Sequence, residues 1–358
     1  MIYVYIVLYR GVGVEVSEQY RRIQQVGEGT YSITLPKQWV TEKGLKRGDL
    51  LAIIEEPDGS LKIQPPMKMQ KEVTAMINAE LCTSSIQLAR MIIGCYVQGY
   101  DVVKIQSMKG FTEEQINEIS KTIDRLPAFE IVEHNPQSII IQSFIDPGRF
   151  PIEGLLRRLQ VMVSSMLSQL ADLISIGDEN IIRNIEKQEE RIDELYFLIV
   201  RLLFTYLRRK ELGKVLGIDS PAYVVGARII VKSLEEIADY IYDISRECLN
   251  LRRRGLWLDK NMSTELQKIV DTVQEIFDKC MKAFLSLDIN LADEVIKEIE
   301  EKIKFSKTSQ VLTGDPRILP SARYISWAVG YIANDCKVIA EIVFNRFVRE
   351  NTPVCSVS

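Results

Sequence analysis

The 358 residues predict a multidomain α+β chain: a short strand unit at the front, a small α/β block behind it, and a long all-helical region built as a duplicated three-helix bundle. Three observations carry that expectation. Residues 20–66 break into short runs of alternating apolar and polar residues, punctuated by Gly and Pro. Residues 67–150 mix strand-like and helical runs. From about 155 to 349 the apolar residues step by three or four, with no strand pattern of comparable strength. The length suggests two or three domains, and 46% hydrophobic with 26% charged residues is a composition that buries cores.

The elements follow in order. Residues 1–19 are an N-terminal extension whose apolar start, "MIYVYIVLY", is too short to span a bilayer and lacks a basic flank or a cleavage site. "RRIQQV" reads as a strand. In "TYSITL", Tyr31, Ile33 and Leu35 alternate with Thr30, Ser32 and Thr34, which predicts a half-buried strand ended by Pro36. "KQWVTEK" makes about two helical turns, stopped by Gly44 in the left-handed conformation. "LLAIIEE" and "LKIQ" pair as a hairpin across "PDGS", and Pro65-Pro66 closes the unit.

In the second block a helix is expected from about Lys71 to Gln98, then a strand in "DVVKIQS". A helix opened by Thr112 follows, with Glu114 and Gln115 in its first turn. Two strands, "FEIVEH" and "SIIIQSF", are split by Asn135-Pro136, with His134 as a turn residue. In the helical region, short breaks at Gly177-Asp178 and Asp288-Ile289-Asn290 and longer proline-containing connections at 211–222 and 306–321 mark six helices. They form two copies, about 155–252 and 263–349, within a domain of 151–358. "IEKQEERIDELYF" in the first corresponds to "IKEIEEKIKFSKT" in the second.

Composition excludes several classes. A net charge of −4 argues against a chain coated in nucleic acid along its length, and leaves room for a local basic patch. Six scattered cysteines without a CxxC pair disfavour a disulfide framework or zinc ribbon, and read as buried hydrophobes in a reducing compartment. One histidine rules out a multi-histidine metal site. With no GxSxG, Walker A, HExxH or kinase signature, the chain reads as a non-enzyme. No transmembrane helix is expected, so the reading is a soluble cytoplasmic protein, not an integral membrane one.

Two groups of residues remain as candidates. Glu189 and Asp193 lie four apart on one side of a helix, and Glu189 falls within the apolar stripe between Ile185 and Ile192. Glu235, Asp239 and Asp243 repeat at the same spacing on the next long helix. Like charges at that spacing repel unless something neutralises them, and two such helices can close on a hard cation or an oxygen-ligated iron or manganese centre. The alternative is a solvated acidic face. In the second copy Lys304 stands where Asp193 stands in the first, and Gly330 or Tyr331 near the position of Glu235, so only one half offers a full carboxylate set. The other group is basic: Arg21, Arg22, Lys37, Lys43, Lys46 and Arg47 against Glu28 and Glu42 over residues 20–48. Phosphate contacts by such a patch give salt-dependent DNA affinity. The alternative is an ordinary solvated surface, since residues 20–66 as a whole are only about +1.

Residues 20–66, with "TYSITLPKQWV", "GLKRGDLLAII" and "DGSLKI", resemble the AbrB/SpoVT swapped-hairpin DNA-binding domain. The LPKxWV form is similar to the version at the front of archaeal PhoU-type proteins. Residues 151–349 resemble PhoU, and "EERID" at 189–193 and "LEEIAD" at 234–239 look like that family's E/DxxxD metal motifs. Residues 67–150 are similar to the linker domain of such fusions. The resemblance implies a DNA-binding transcriptional regulator of phosphate uptake and phosphate homeostasis. It implies a homodimer through the swapped-hairpin unit, contacting a pseudo-palindromic promoter with Arg21, Arg22 and Lys37, and with Lys43, Lys46 and Arg47. It also implies iron or manganese on Glu189, Asp193, Glu235 and Asp239. The alternative is an accessory regulator that docks on a phosphate transporter or signalling partner, without binding DNA. The dimer has independent physical support: about 45 residues rarely bury enough surface to fold alone.

Overall fold

The computed structural model of the chain describes residues 21–55, 59–65, 72–302 and 314–349. Contacts divide the chain into two units, Met1–Lys71 and Glu72–Ser358. The apolar start at residues 1–9 lies outside the described residues.

The first unit is two antiparallel pairs and a short helix. Strand β1 (Gln24–Val26) pairs with β2 (Thr30–Ser32), with Val26 opposite Thr30. The tight connection needs Gly27, at φ +74°. Helix α1 (Lys37–Glu42) stops at Gly44 in the left-handed conformation, φ +63°. Strand β3 (Ala52–Glu55) pairs with β4 (Leu61–Gln64). The expected half-buried face of "TYSITL" is not buried within one chain. Tyr31 is 68% and Ile33 52% exposed, and among the described residues no element of the unit packs over them.

The second unit begins with a four-stranded sheet in the order β5-β6-β8-β7. Strand β5 (Thr74–Asn78) runs parallel to β6 (Val102–Gln106), and β8 (Ser138–Ser143) joins β6 and β7 (Phe129–Asn135) in antiparallel pairs. The expected helix from Lys71 is therefore corrected: its first residues form β5, and α2 (Ser85–Val97) starts only at the Ser84 cap, whose Oγ accepts the Gln87 N–H at 3.1 Å. His134 is also corrected, from turn to strand, since it pairs with Ile139. Helix α3 (Glu113–Asp124) opens with a reciprocal capping box between Thr112 and Gln115. Leu88, Ile92, Tyr96, Ile105, Phe129 and Ile141 make the core of this block, with the Tyr96 and Phe129 rings edge to face at 5.2 Å.

The helices then follow: α4 (Ile152–Ile176), α5 (Glu179–Arg208), the short α6 (Gly213–Leu216), α7 (Pro221–Arg253), α8 (Lys260–Ser286), α9 (Ile289–Lys302) and α10 (Leu319–Phe347). Gly177 ends α4 at φ +71°, and Asp178 caps α5 at once by accepting the Asn180 N–H, which is how one residue pair reverses the chain. α7 packs on α4, α5 and α10, and α8 on α4, α9 and α10, so both copies share one continuous core. By length and composition α4 could cross a membrane; its stripe of Leu159, Val163, Met166 and Leu170 is instead fully buried in the bundle.

The sheet block sits directly on α5. Arg201 of α5 is 4% exposed and donates to the Tyr96 and Tyr100 carbonyls at 2.7 and 2.9 Å. Arg209 pairs with Asp101 at 3.0 Å, and Phe197 packs against the sheet core. A buried guanidinium is tolerated only when its donors are used, and here they tie the two blocks together.

Candidate functional site

The 3.6-residue repeat that buries Ile185 and Ile192 also turns Glu189 inward, and it buries Asp193 one turn later. On α7 the stripe of Leu234, Ile237 and Ile241 carries Glu235 and Asp239 with it into the α5–α7 contact. Glu189, Asp193 and Asp239 thereby present one carboxylate oxygen each within 4.8 Å of one another. Glu235 stands beside them, and Asp243 is exposed and outside the group.

Two of these carboxylates have cations of their own. Arg125, at the end of α3 in the sheet block, pairs with Asp193, and Lys232 pairs with Glu235. Among the described residues no ion pair closes on Glu189 or Asp239. Burial pushes the Glu189 carboxyl up to about 7, with the charges of Asp193 and Asp239 adding to it and Arg125 opposing. Burial likewise pushes Asp239 up to about 7, helped by Glu235 and Asp193. Glu235 is raised by burial, against the hydrogen bond from Lys232. Such a half-buried, under-neutralised set of oxygens is one that a hard cation relieves. The donors are all oxygen, which suits manganese, magnesium, calcium or oxygen-ligated iron over softer metals. Arg125 and Lys232 were not visible as partners in the sequence reading. Lys232, three residues before Glu235, was within reach of a spacing argument; Arg125, 68 residues from Asp193, was not.

The second copy differs at the matching place. With Gly330 or Tyr331 near the position of Glu235, Asp239 corresponds to Asn334 or Asp335 of α10, and Asp335 is itself buried, its carboxyl pushed up to about 7 by burial. Glu300 of α9, at the position of Glu189, pairs with Lys337 at 2.8 Å. Lys304 lies outside the described residues; Gly330 is buried, and the Tyr331 ring lies 5.5 Å from that of Tyr240.

In the first unit Arg21 and Arg22 precede β1, Lys37 opens α1, Lys43 caps its end, and Lys46 and Arg47 form the turn before β3. All six are exposed. That turn is set by Asp49, whose carboxylate accepts the Lys46 N–H at 2.7 Å. Among the described residues of this unit none is buried, and Ile23, Val26, Tyr31, Leu50, Ile53 and Leu61 are each more than half exposed.

Comparison with known proteins adds the following. Residues 156–248 match the PhoU domain family, and residues 24–71 match the family described as antidote-toxin recognition MazE, bacterial antitoxin. The chain thus carries a PhoU domain and an AbrB-like antitoxin domain at its front. Among solved structures it is similar to PhoU from Pseudomonas aeruginosa, at 15% identity and a TM-score of 0.49, over 56% of this chain and 96% of that one. It is also similar to the phosphate transport system regulatory protein PhoU from Streptococcus pneumoniae, at 14% identity and 0.46, over 56% and 95%. No curated protein matches.

Proposed function

We propose that this chain, a PhoU domain carried behind an antitoxin-type domain, is a regulator of phosphate uptake that binds promoter DNA as a homodimer in the cytoplasm. One observation carries the reading. A strand unit with no buried residue among those described, and with six exposed Arg and Lys side chains, is fused to a bundle that has a complete core. A second copy covering the apolar side chains of the first supplies the missing core and sets two basic faces about a two-fold axis, which suits a pseudo-palindromic site. The role is regulatory rather than catalytic.

The carboxylate set fits a metal ion. Glu189, Asp193 and Asp239 would hold iron or manganese, with Glu235 beside them. Once bound, the ion would supply the positive charge that these groups lack. Metal analysis of the purified chain, with Glu189→Ala and Asp239→Ala as controls, tests this; absence of stoichiometric metal in the unsubstituted chain refutes it.

The DNA reading is tested by titrating the full-length chain with promoter DNA of phosphate-uptake genes at several salt concentrations. Affinity falls steeply with salt, and Arg21→Ala/Arg22→Ala lowers the log–log slope by about two. No binding above background at low salt overturns it. A second reading, docking on a phosphate transporter or signalling partner, is favoured by an exposed aromatic ladder on α7 and α10. Trp327 and Tyr331 stand 4.3 Å apart between Tyr324 and Tyr240, and both are more than 40% exposed. If that reading holds, Trp327→Ala weakens binding to the purified partner and leaves DNA binding alone; equal partner affinity for both proteins removes it.

A further inference from the structure

The first turns of α7 and the last turns of α8 and α10 enclose a cleft of about 320 Å³. That is the lower end of the range for small-molecule sites. Its apolar walls are Tyr223, Ile229, Phe284 and Ile342, with Gly226 between them. A Cβ on Gly226 would stand 3.2 Å from Ile342 Cγ2, so glycine is what lets the helices meet this closely at the back of the cleft. Val225 and Ile229 leave part of the rim apolar and open to solvent.

Two arginines line the cleft, and they differ. Arg349 is already engaged, donating to Asp219 Oδ2 at 2.9 Å and to Ser220 Oγ at 2.8 Å. Arg346 has no carboxylate partner among the described residues. Its Nη1 reaches only the Phe284 carbonyl at 3.5 Å, its guanidinium stands 5.7 Å from the Phe284 ring, and its Nε–H is buried with no acceptor. A buried donor without an acceptor is a cost that native folds rarely carry idle. The two carboxylates whose charges reach the wall at Tyr223 are both committed elsewhere: Glu153 to Arg157 at 2.7 Å and Asp219 to Arg349. Among the described residues no carboxylate pairs with Arg346; the N-terminal end of the 33-residue α7 adds a positive field at the cleft, and the C-terminal ends of α8 and α10 oppose it.

We propose that this cleft binds a small amphipathic anion, an acid group on a short apolar body, with the acid on Arg346 and the body against Ile229, Phe284 and Ile342. The proposal is independent of DNA binding and of the carboxylate set.

Isothermal titration of the full-length chain with octanoate, octan-1-ol and acetate tests it, because the two controls each lack one half of the ligand. Octanoate is expected to saturate one site per chain, with octanol and acetate at least about ten-fold weaker. Arg346→Gln should weaken octanoate by about ten-fold or more and leave octanol unchanged, and Arg346→Lys should fall between. Thermal melts of both variants show whether the fold is kept, and Ile229→Trp, at the rim, should block octanoate without touching the arginine. Failure of octanoate to saturate, or equal affinity in Arg346→Gln, overturns the proposal. So does a response to phosphatidylglycerol vesicles alone, which would assign the arginine to a membrane lipid.

Discussion

In the front unit Ile53 sits opposite Ile63 in a regular antiparallel ladder and is still 65% exposed, whereas Ile237 and Phe277 in the bundle are fully buried at equally periodic positions. The local rules are obeyed in both regions. What differs is whether one chain brings a second layer. Residues 72–349 supply their own, as helices on a sheet and helices on helices. Residues 21–65 offer two hairpins and a six-residue helix, too little to cover an apolar face. Periodicity reports which face wants burial; it does not report whose atoms bury it.

The largest expected effect tests that contrast directly. Ile53→Asp places a charge on the face assigned to the partner copy and should abolish the dimer in analytical ultracentrifugation, since an unpaired buried charge costs several kcal/mol. Val161→Asp in the bundle, at a residue of similar exposure (67%), should change stability by less than about 0.5 kcal/mol. A dimer that survives Ile53→Asp breaks the comparison. Next in size, Phe277→Ala should cost the bundle about 3–5 kcal/mol in chemical denaturation and leave the dimer intact. If it also dissociates the dimer, the two regions are not independent. Smaller again, Arg201→Ala leaves the Tyr96 and Tyr100 carbonyls without their buried donor and should cost about 1–3 kcal/mol. Hydrogen exchange should then rise in α2 and β6 before it rises in the bundle.

The smallest effect is a pH dependence within the bundle. Glu189 and Asp239 have folded pKa values near 7, above those of free carboxylates, so the folded chain holds more protons than the unfolded one between about pH 4.5 and 7. Metal-free protein should therefore lose stability as pH rises through that window. Glu189→Gln should flatten the melting-temperature profile there. A profile that rises with pH in both proteins contradicts the assignment, as does an equal slope in the two.

Much of this was legible in the sequence, and the failures have physical causes. The six long helices could be read because their stripes are local; Gly177 marked the stop of α4, and Gly44 that of the short α1, by a conformation only glycine adopts cheaply. β5 was hidden. Thr74–Asn78 fits either period, no Gly or Pro separates it from α2, and its partner β6 is a non-local parallel neighbour. The carboxylates of the acidic set were visible as spacing, and Glu189 stood out because it interrupts an apolar stripe. Their counter-ions were not, since Arg125 arrives from another block, at the end of α3, through the docking of α2 on α5. In the second copy Lys304, at the position of Asp193, lies outside the described residues; Glu300, at the position of Glu189, is neutralised by Lys337, a pairing that depends on the register of α9 against α10.

The central claim is that this chain acts on DNA at genes for phosphate uptake. Genome-wide mapping of the full-length protein on DNA, in phosphate-replete and phosphate-starved cells, tests it most directly. The account predicts discrete peaks at promoters of phosphate-uptake genes, changing in height with phosphate and lost in Arg21→Ala/Arg22→Ala. A uniform background in both conditions, or peaks that persist in the double substitution, would contradict it.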